Sequence, residues 1–135
     1  MKLKSENEVA PRSTTRDDVE RRMREAVKLT VFIGGDERRA HHTLCELALK
    51  TLREMNITGA TVEKGVMGYG INRTIHSTLN EVTMENLPIV IEAVDDGERL
   101  RVAAERIAEI LGQHGLVQLQ PTTVILKRKG ERADA

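Results

Sequence analysis

One stretch in the second half of the chain decides the fold, and it reads Leu87-Pro88-Ile89-Val90-Ile91-Glu92-Ala93-Val94. A short apolar run that is rich in β-branched residues is typical of a buried strand. Its proline fits the start of a strand, where a missing N–H does least harm. Asp95-Asp96 then supplies a helix cap, and apolar residues recur at spacings of three and four from Leu100 to Leu111. The sequence therefore predicts a strand that leads directly into an amphipathic helix.

The first half of the chain shows the same two periodicities. Apolar residues alternate with other residues from Val27 to Ile33, which predicts a strand over 27–33. Gly34-Gly35-Asp36 interrupts that strand, and apolar spacings of three and four then predict a helix over 40–55. Residues 60–64 are predicted to form a second strand that enters a glycine-rich loop, and residues 77–83 an extended arm.

The elements follow the order strand, helix, two strands, helix, strand, with residues 116–119 adding a short strand before the final one at 122–126. This order predicts the α+β class and a ferredoxin-like βαββαβ sandwich, in which two helices cover one face of an antiparallel sheet. The other sheet face stays open, and Phe32 and the apolar side chains of residues 87–94 lie partly on it. We therefore expect copies of the chain to associate through this face.

The two ends of the chain differ in composition from the middle. Residues 1–26 are densely charged and are interpreted as an extension outside the core, with a short helix near 15–25 that Thr14 and Thr15 can cap. Residues 27–128 form the predicted domain, and residues 129–135 a polar tail.

Composition restricts the function classes. At 135 residues and 15.1 kDa the chain fits one domain. Lys plus Arg and Asp plus Glu both number 21, and Phe32 and Tyr69 are the only aromatic residues, so we expect no nucleic-acid binding.

No apolar run reaches the roughly 18 residues of a membrane span, and the first residues lack the apolar segment of a secretory signal. Together with a single cysteine, these features predict a cytoplasmic location.

A glycine-rich loop is the main candidate binding site, and it reads Gly65-Val66-Met67-Gly68-Tyr69-Gly70-Ile71-Asn72-Arg73-Thr74-Ile75-His76. The glycines permit close backbone approaches and leave N–H groups able to bind an anion, and Arg73 and His76 add donors. Tyr69 is suited to stacking on a base or to contacting another protein. The loop is not a P-loop, because Ile71-Asn72 stands where Lys-Ser or Lys-Thr is required, and it does not fit the dinucleotide fingerprint. A purely structural loop is the alternative.

Two further hypotheses concern metal binding and catalysis. His41, His42 and Cys45 are candidate ligands of one metal ion, because the two histidines precede Cys45 by four and three residues on the predicted first helix. His76 can be paired with a glutamate such as Glu63, Glu81 or Glu92, or Cys45 with a histidine, as catalytic groups. Nothing in the spacing selects these pairs, so the sequence predicts neither an enzyme nor a firm cofactor.

Four segments carry a family resemblance. They are Gly59 to Gly70, Ile75-His76, Leu87 to Asp95 and Gly115-Leu116-Val117. The chain resembles the PII-like proteins called domain of unknown function 190, over about residues 27–128. It departs from them at His41-His42-Thr43-Leu44-Cys45, where members often carry a Gly-Lys-Pro-Leu-Tyr-like run, and at Lys64 and Tyr69, which replace the commoner Arg and Phe.

The resemblance implies a signalling or regulatory protein rather than an enzyme. PII signalling proteins are ferredoxin-like homotrimers that bind adenine nucleotides in clefts between subunits and signal through a mobile loop after the second strand. By that resemblance ATP, ADP or AMP is the candidate small-molecule ligand, and a membrane transporter or a fluoride channel is a candidate partner. The corresponding loop is 65–83, which assigns candidate roles to Gly65, Gly68, Tyr69, Gly70, Arg73 and His76. An enzyme of unknown reaction, a metal-binding protein and a structural oligomer without ligand are the alternatives.

Overall fold

The structure is a computed structural model in which residues 15–69, 75–77 and 87–126 are described. The chain divides into two compact units. One comprises Ala26–Thr122, and the other comprises the terminal segments Met1–Glu25 and Thr123–Ala135, of which 15–25 and 123–126 are described.

The described residues form three α-helices and eight strands. In chain order these are α1 (Arg16–Arg22), β1 (Met23–Gly34), β2 (Arg38–Arg39), β3 (His42–Thr43), α2 (Leu44–Glu54), β4 (Thr61–Lys64), β5 (Met67–Gly68), β6 (His76–Ser77), β7 (Pro88–Asp95), α3 (Gly97–Leu111) and β8 (Gly115–Ile125), with a 3₁₀ turn at Gly112–His114 between the last two.

The main sheet has the strand order β4-β7-β1-β8. Strands β1 and β7 pair antiparallel over eight residues, from Val27 opposite Asp95 to Gly34 opposite Pro88. Strand β4 pairs antiparallel with the other side of β7. The predicted α+β, ferredoxin-like βαββαβ order is confirmed, and the strands predicted at 27–33 and 87–94 lie at the centre of the sheet.

The last strand differs from the prediction. Residues 116–119 and 122–126 were expected to form two strands, and the structure has one continuous strand, β8, through Pro121. The physical reason is its place in the sheet. β8 is an edge strand, and an edge strand tolerates a proline because a missing N–H on the outer side breaks no ladder bond.

The hydrophobic core lies between one sheet face and two helices. Alternate residues of β1 and β7 point to this face, among them Leu29, Val31 and Ile91, which are fully buried. Helices α2 and α3 cover them with apolar residues at spacings of three and four, namely Leu44, Ala48, Leu52, Leu100, Ala103, Ala104, Ile107 and Leu111. Burying each large aliphatic side chain contributes about 1.5 to 3 kcal/mol, so this layer provides most of the stabilisation.

The opposite sheet face carries a mixed set of side chains. Phe32 and Val94 are 40% and 41% exposed, and Val90 is half-buried opposite Phe32. Between them Lys28 Nζ lies 3.6 Å from Glu92 Oε2. The predicted open face is therefore present in the single chain, and Lys28 and Glu92 form an ion pair on it. Glu63 of β4 lies opposite Val90 and adds an exposed carboxylate to this face.

The terminal unit contains the short helix predicted for residues 15–25, but α1 ends at Arg22. Thr15 and Asp18 form a capping box, in which each side chain accepts a hydrogen bond from the backbone N–H of the other. Met23 then adopts an extended conformation, and the Leu126 N–H donates to the Arg22 carbonyl at 3.0 Å. The helix is shorter than predicted because its last residues join β1.

A largely buried carboxylate connects the end of β7 to the turn after α2. Asp95 Oδ2 accepts the Thr58 N–H at 2.8 Å, and Asp95 Oδ1 accepts the Asp96 N–H at 2.6 Å. Arg99 Nη1 lies 3.7 Å from Asp95 Oδ1 and also donates to the Asn56 carbonyl at 3.1 Å. Burial by itself raises the pKa of Asp95, but the hydrogen bonds from Thr58 and Asp96 and the Arg99 charge outweigh it and lower the pKa.

We predict that Asp95→Asn lowers the free energy of unfolding by about 1 to 2 kcal/mol at neutral pH, because a charge-assisted acceptor of two N–H groups is lost. A lowered folded-state pKa stabilises the fold above the ordinary aspartate range, near pH 4, and this contribution is lost as the pH falls through the folded-state value. The difference between parent and variant should therefore shrink in acid. Urea unfolding at pH 7 and pH 3 measures it.

Asp96→Asn is the matched control. Asp96 caps α3 by accepting the Glu98 N–H, and asparagine caps a helix about as well as aspartate. Equal stability losses in the two variants would show that the Asp95 network contributes nothing specific.

Candidate functional site

The glycine-rich loop forms a small hairpin directly after β4. Met67 pairs with Ser77 and Gly68 with His76, in a two-stranded antiparallel ladder of β5 and β6. The hairpin is attached to the main sheet through Gly65, whose N–H donates to the Pro88 carbonyl at 2.7 Å. Its base is therefore held at the start of β7.

Two of the glycines are required by packing against the Pro88 ring. A Cβ at Gly65 would lie 2.7 Å from Pro88 Cγ, and a Cβ at Gly68 would lie 3.0 Å from the same atom. A proline ring cannot rotate away as a flexible side chain can. Sequence reasoning treated Pro88 as a strand start and missed this second role, because Pro88 is distant in sequence from both glycines that it contacts.

One part of the predicted anion site needs correction. The loop was expected to offer the N–H groups of Gly65 to Gly70 to an anion. The Gly65 N–H is used by the Pro88 carbonyl, because the loop continues the pairing of β4 with β7 for one more residue. The Gly65 N–H is therefore engaged within the protein in this structure, and a binding role of the loop stays a prediction.

The hairpin exposes an apolar surface. Val66, Met67, Tyr69 and Ile75 are between 48% and 66% exposed. Side chains of this kind gain most from contact with another molecule. The exposure of Tyr69 is compatible with the predicted stacking or partner contact.

Several predicted site residues fall outside the described residues. Gly70 and Arg73 lie there, as do the His76 side chain and the predicted arm beyond Ser77. Their binding roles remain predictions.

The metal hypothesis loses its geometric basis. His41, His42 and Cys45 were placed on one helix, but α2 begins at Leu44, so both histidines precede it. Thr43 and Glu46 form a capping box that sets this start, and Ala40 has a left-handed φ of 58° that excludes a continuous helix. Within residues 15–69, 75–77 and 87–126, no three His, Cys, Asp or Glu side chains are grouped to hold a metal ion.

The catalytic hypotheses find little support in the local chemistry. Partial burial, and then the neighbouring Glu46 carboxylate, raise the pKa of the Cys45 thiol, which disfavours the nucleophilic thiolate. Glu92 is engaged by Lys28 on the open sheet face.

In the described part of the chain, no helix has the length and apolar character needed to cross a membrane.

Comparison with known proteins identifies relatives over the same residues. The model of the DUF190 family, described as Uncharacterized ACR, COG1993, matches residues 26–124. A UPF0166 protein of Aquifex aeolicus is 31% identical over 98 residues, which are 72% of this chain and 90% of that protein. The UPF0166 protein MJ1524 of Methanocaldococcus jannaschii is 33% identical over 69 residues, which are 51% of this chain and 63% of that protein. The chain thus spans less than two thirds of the archaeal relative.

The fold is also found in a solved structure. CPII, a nitrogen regulatory PII-like protein from Thiomonas intermedia bound to ADP, AMP and bicarbonate, superposes with a TM-score of 0.61. The match covers 77% of this chain and 92% of CPII at 18% identity. At that identity the similarity concerns the fold.

We predict that Gly65→Ala lowers the free energy of unfolding of the unit Ala26–Thr122 by about 1 to 3 kcal/mol. The added Cβ would overlap the Pro88 ring and force the backbone to shift. Gly59→Ala is the matched control, since a Cβ there meets nothing within 4 Å. Thermal and urea unfolding of both variants measure the difference.

Replacing the ring identifies the cause. In a Pro88→Ala background the Gly65→Ala change should cost at least about 0.5 kcal/mol less than in the parent, since the clashing atom is gone. Strict additivity of the two substitutions would contradict the packing role assigned to Gly65.

Proposed function

This chain belongs to the DUF190 family of PII-like proteins, and from that membership we propose that it is a regulatory protein that binds an adenine nucleotide and signals to a partner. The observation that carries the proposal is the hairpin of β5 and β6. It follows β4, the second strand of the main sheet in chain order, is held against Pro88 and exposes Tyr69. A loop whose first residue is hydrogen-bonded to the main sheet and which exposes an aromatic side chain is suited to binding another molecule.

Adenine nucleotides are the best candidate ligands. CPII has the same fold and binds ADP and AMP, and ATP, ADP or AMP is what the family resemblance implies for this chain. Phosphates need cationic or N–H donors, and Arg73 supplies a guanidinium five residues after Gly68. The proposed site consists of Gly65, Gly68, Tyr69, Gly70, Arg73 and His76, with Gly65 and Gly68 shaping the backbone.

A homotrimer is the proposed assembly, and its subunit clefts are the proposed place of the nucleotide. The open sheet face supports this proposal, because Phe32 and Val94 remain about 40% exposed in the single chain. Lys28 and Glu92 lie beside each other on this face, so burying these two side chains together leaves neither charge unpaired. Three copies that close around this face would cover all of these side chains.

The exposed apolar side chains of the hairpin are the proposed contact with the partner protein. Met67 and Ile75 add apolar area beside Tyr69, and an interface gains most from such anchors. The family resemblance suggests a membrane transporter or a fluoride channel as this partner. Binding and signalling, rather than catalysis, are the proposed activity.

We predict that the parent binds at least one of ATP, ADP and AMP, and that Arg73→Ala weakens this binding roughly 10- to 150-fold. A hydrogen bond to a charged phosphate is worth about 1.5 to 3 kcal/mol, which corresponds to that ratio. Isothermal titration calorimetry with each nucleotide measures it. Arg106→Ala, an exposed cation of α3, is the control and should bind as the parent does.

The outcomes separate the site from the function. Equal affinities of the parent and the Arg73 variant would place the nucleotide elsewhere on the protein. Absence of binding to all three nucleotides at millimolar concentration would refute the nucleotide-sensing function.

We further predict a trimer at micromolar concentration, and a monomer for Phe32→Glu, because a glutamate there places an unpaired charge in the proposed interface. Light scattering after gel filtration gives the mass. Ala108→Glu on the exposed side of α3 is the control and should leave the mass unchanged. A monomeric parent would remove the subunit cleft from the proposal.

A further inference from the structure

A groove lies on the helix side of the sheet, between α2 and the residues that lead into β4. This groove has a volume of about 590 Å³. Its apolar floor includes Leu52 and Ile57, which are part of the core, and the half-buried Leu49. The groove lies wholly within the unit Ala26–Thr122 and is separate from the hairpin and from the open sheet face.

The groove presents two cations that form no ion pair with the described residues. Lys50 and Arg53 line it, and within the described part of the chain neither has an acidic partner. Cations of α3 differ from them, since Arg99 and Arg101 pair with Asp95 and Glu98. The local charge of the groove is therefore available to a ligand.

One carboxylate, Glu46, also lines the groove, so its wall carries two cations and one anion. Glu46 accepts the Thr43 N–H at 3.0 Å, and its Oε1 lies 3.7 Å from His42 Nδ1. The Thr43 hydrogen bond is the main reason that the pKa of Glu46 is lowered, so this carboxylate is ionised and already engaged. An anionic ligand near Lys50 and Arg53 gains two attractive contacts.

The far wall of the groove is backbone. The Ile57 N–H donates to Leu52 O, and the Thr58 N–H to Asp95, but Gly59 and Ala60 make no hydrogen bond with any described residue. They lead into β4, an edge strand of the sheet whose four residues are all exposed. An extended segment placed beside an edge strand can pair with its unused backbone groups.

We propose that this groove binds an extended segment of a partner protein in which acidic and apolar residues alternate. Acidic side chains would meet Lys50 and Arg53, apolar ones would cover Leu49 and Ile57, and the segment's backbone would pair at Gly59 and Ala60. The proposal does not depend on nucleotide binding or on the trimer, because the groove is on the helix side of the sheet.

The test uses the full chain and a synthetic probe, an acetylated and amidated hexapeptide of alternating glutamate and leucine. Its lysine and leucine counterpart is the charge control. We expect saturable binding of the acidic peptide, measured by NMR titration of the ¹⁵N-labelled protein, with the largest amide shifts at Gly59, Ala60 and the last turns of α2. Affinity should fall as salt rises from 0.1 to 1 M.

Charge reversal tests the assignment. Lys50→Glu with Arg53→Glu should weaken peptide binding at least about tenfold, because two attractive contacts become repulsive. Arg106→Glu makes the same kind of change on α3 and should leave the affinity within about twofold. Both altered positions of the double variant are exposed, and a thermal melt verifies its fold. If the double variant is nevertheless destabilised, the positions of the amide shifts that the acidic peptide causes in the parent protein test whether the peptide binds in the groove.

Three results would overturn the proposal. They are absence of peptide binding at 2 mM, equal affinity for the acidic and basic peptides, and shifts that lie outside the groove. If free glutamate displaces the acidic peptide as effectively as more of the same peptide does, the groove is a simple anion site and not a peptide groove. That result would likewise refute the proposal.

Discussion

The antiparallel pairing of β1 with β7 is the constraint on which the other features depend. Eight residues of each strand lie opposite one another, so the register places Leu29, Val31 and Ile91 on one face and Lys28, Phe32 and Glu92 on the other. A shift by one residue would exchange the two faces and expose the core. Because α2 and α3 bury the first face, the register is held by the free energy of that burial.

The start of β7 links this central pairing to the candidate site. Pro88 lies at the end of the register with β1, opposite Gly34, and its carbonyl holds the Gly65 N–H on the other side. Its ring lies where side chains at Gly65 or Gly68 would need space. The hairpin that carries Tyr69 is thus oriented by the same strand that organises the core, and a ligand or a partner would meet a loop with a fixed base.

The two faces of the sheet lead to different kinds of contact. The open face combines exposed apolar side chains with an internally neutral Lys28 and Glu92 pair, which suits association between identical copies. The helix side has a groove in which Lys50 and Arg53 form no ion pair with the residues that the structure describes, and this groove is the proposed site of an anionic segment of another protein. The two proposed contacts, between copies of the chain and with a partner protein, would therefore use separate surfaces of the domain.

The sequence by itself determined the order of strands and helices, the core residues of α3 and the open face, because these follow from local periodicity and from the length of each run. It also identified the loop from Gly65 to His76 by its glycines. Only the tertiary structure decided that α2 begins after His42, that β8 runs through Pro121, and that the Gly65 N–H is occupied. Each of these depends on a partner distant in sequence or on a competing local bond, such as the Pro88 carbonyl, the edge position of β8 or the Thr43 and Glu46 cap. The groove at Lys50 and Arg53 could not be read from the sequence either, since it arises where α2 packs beside residues 57–60 and where neither cation forms an ion pair with a described residue.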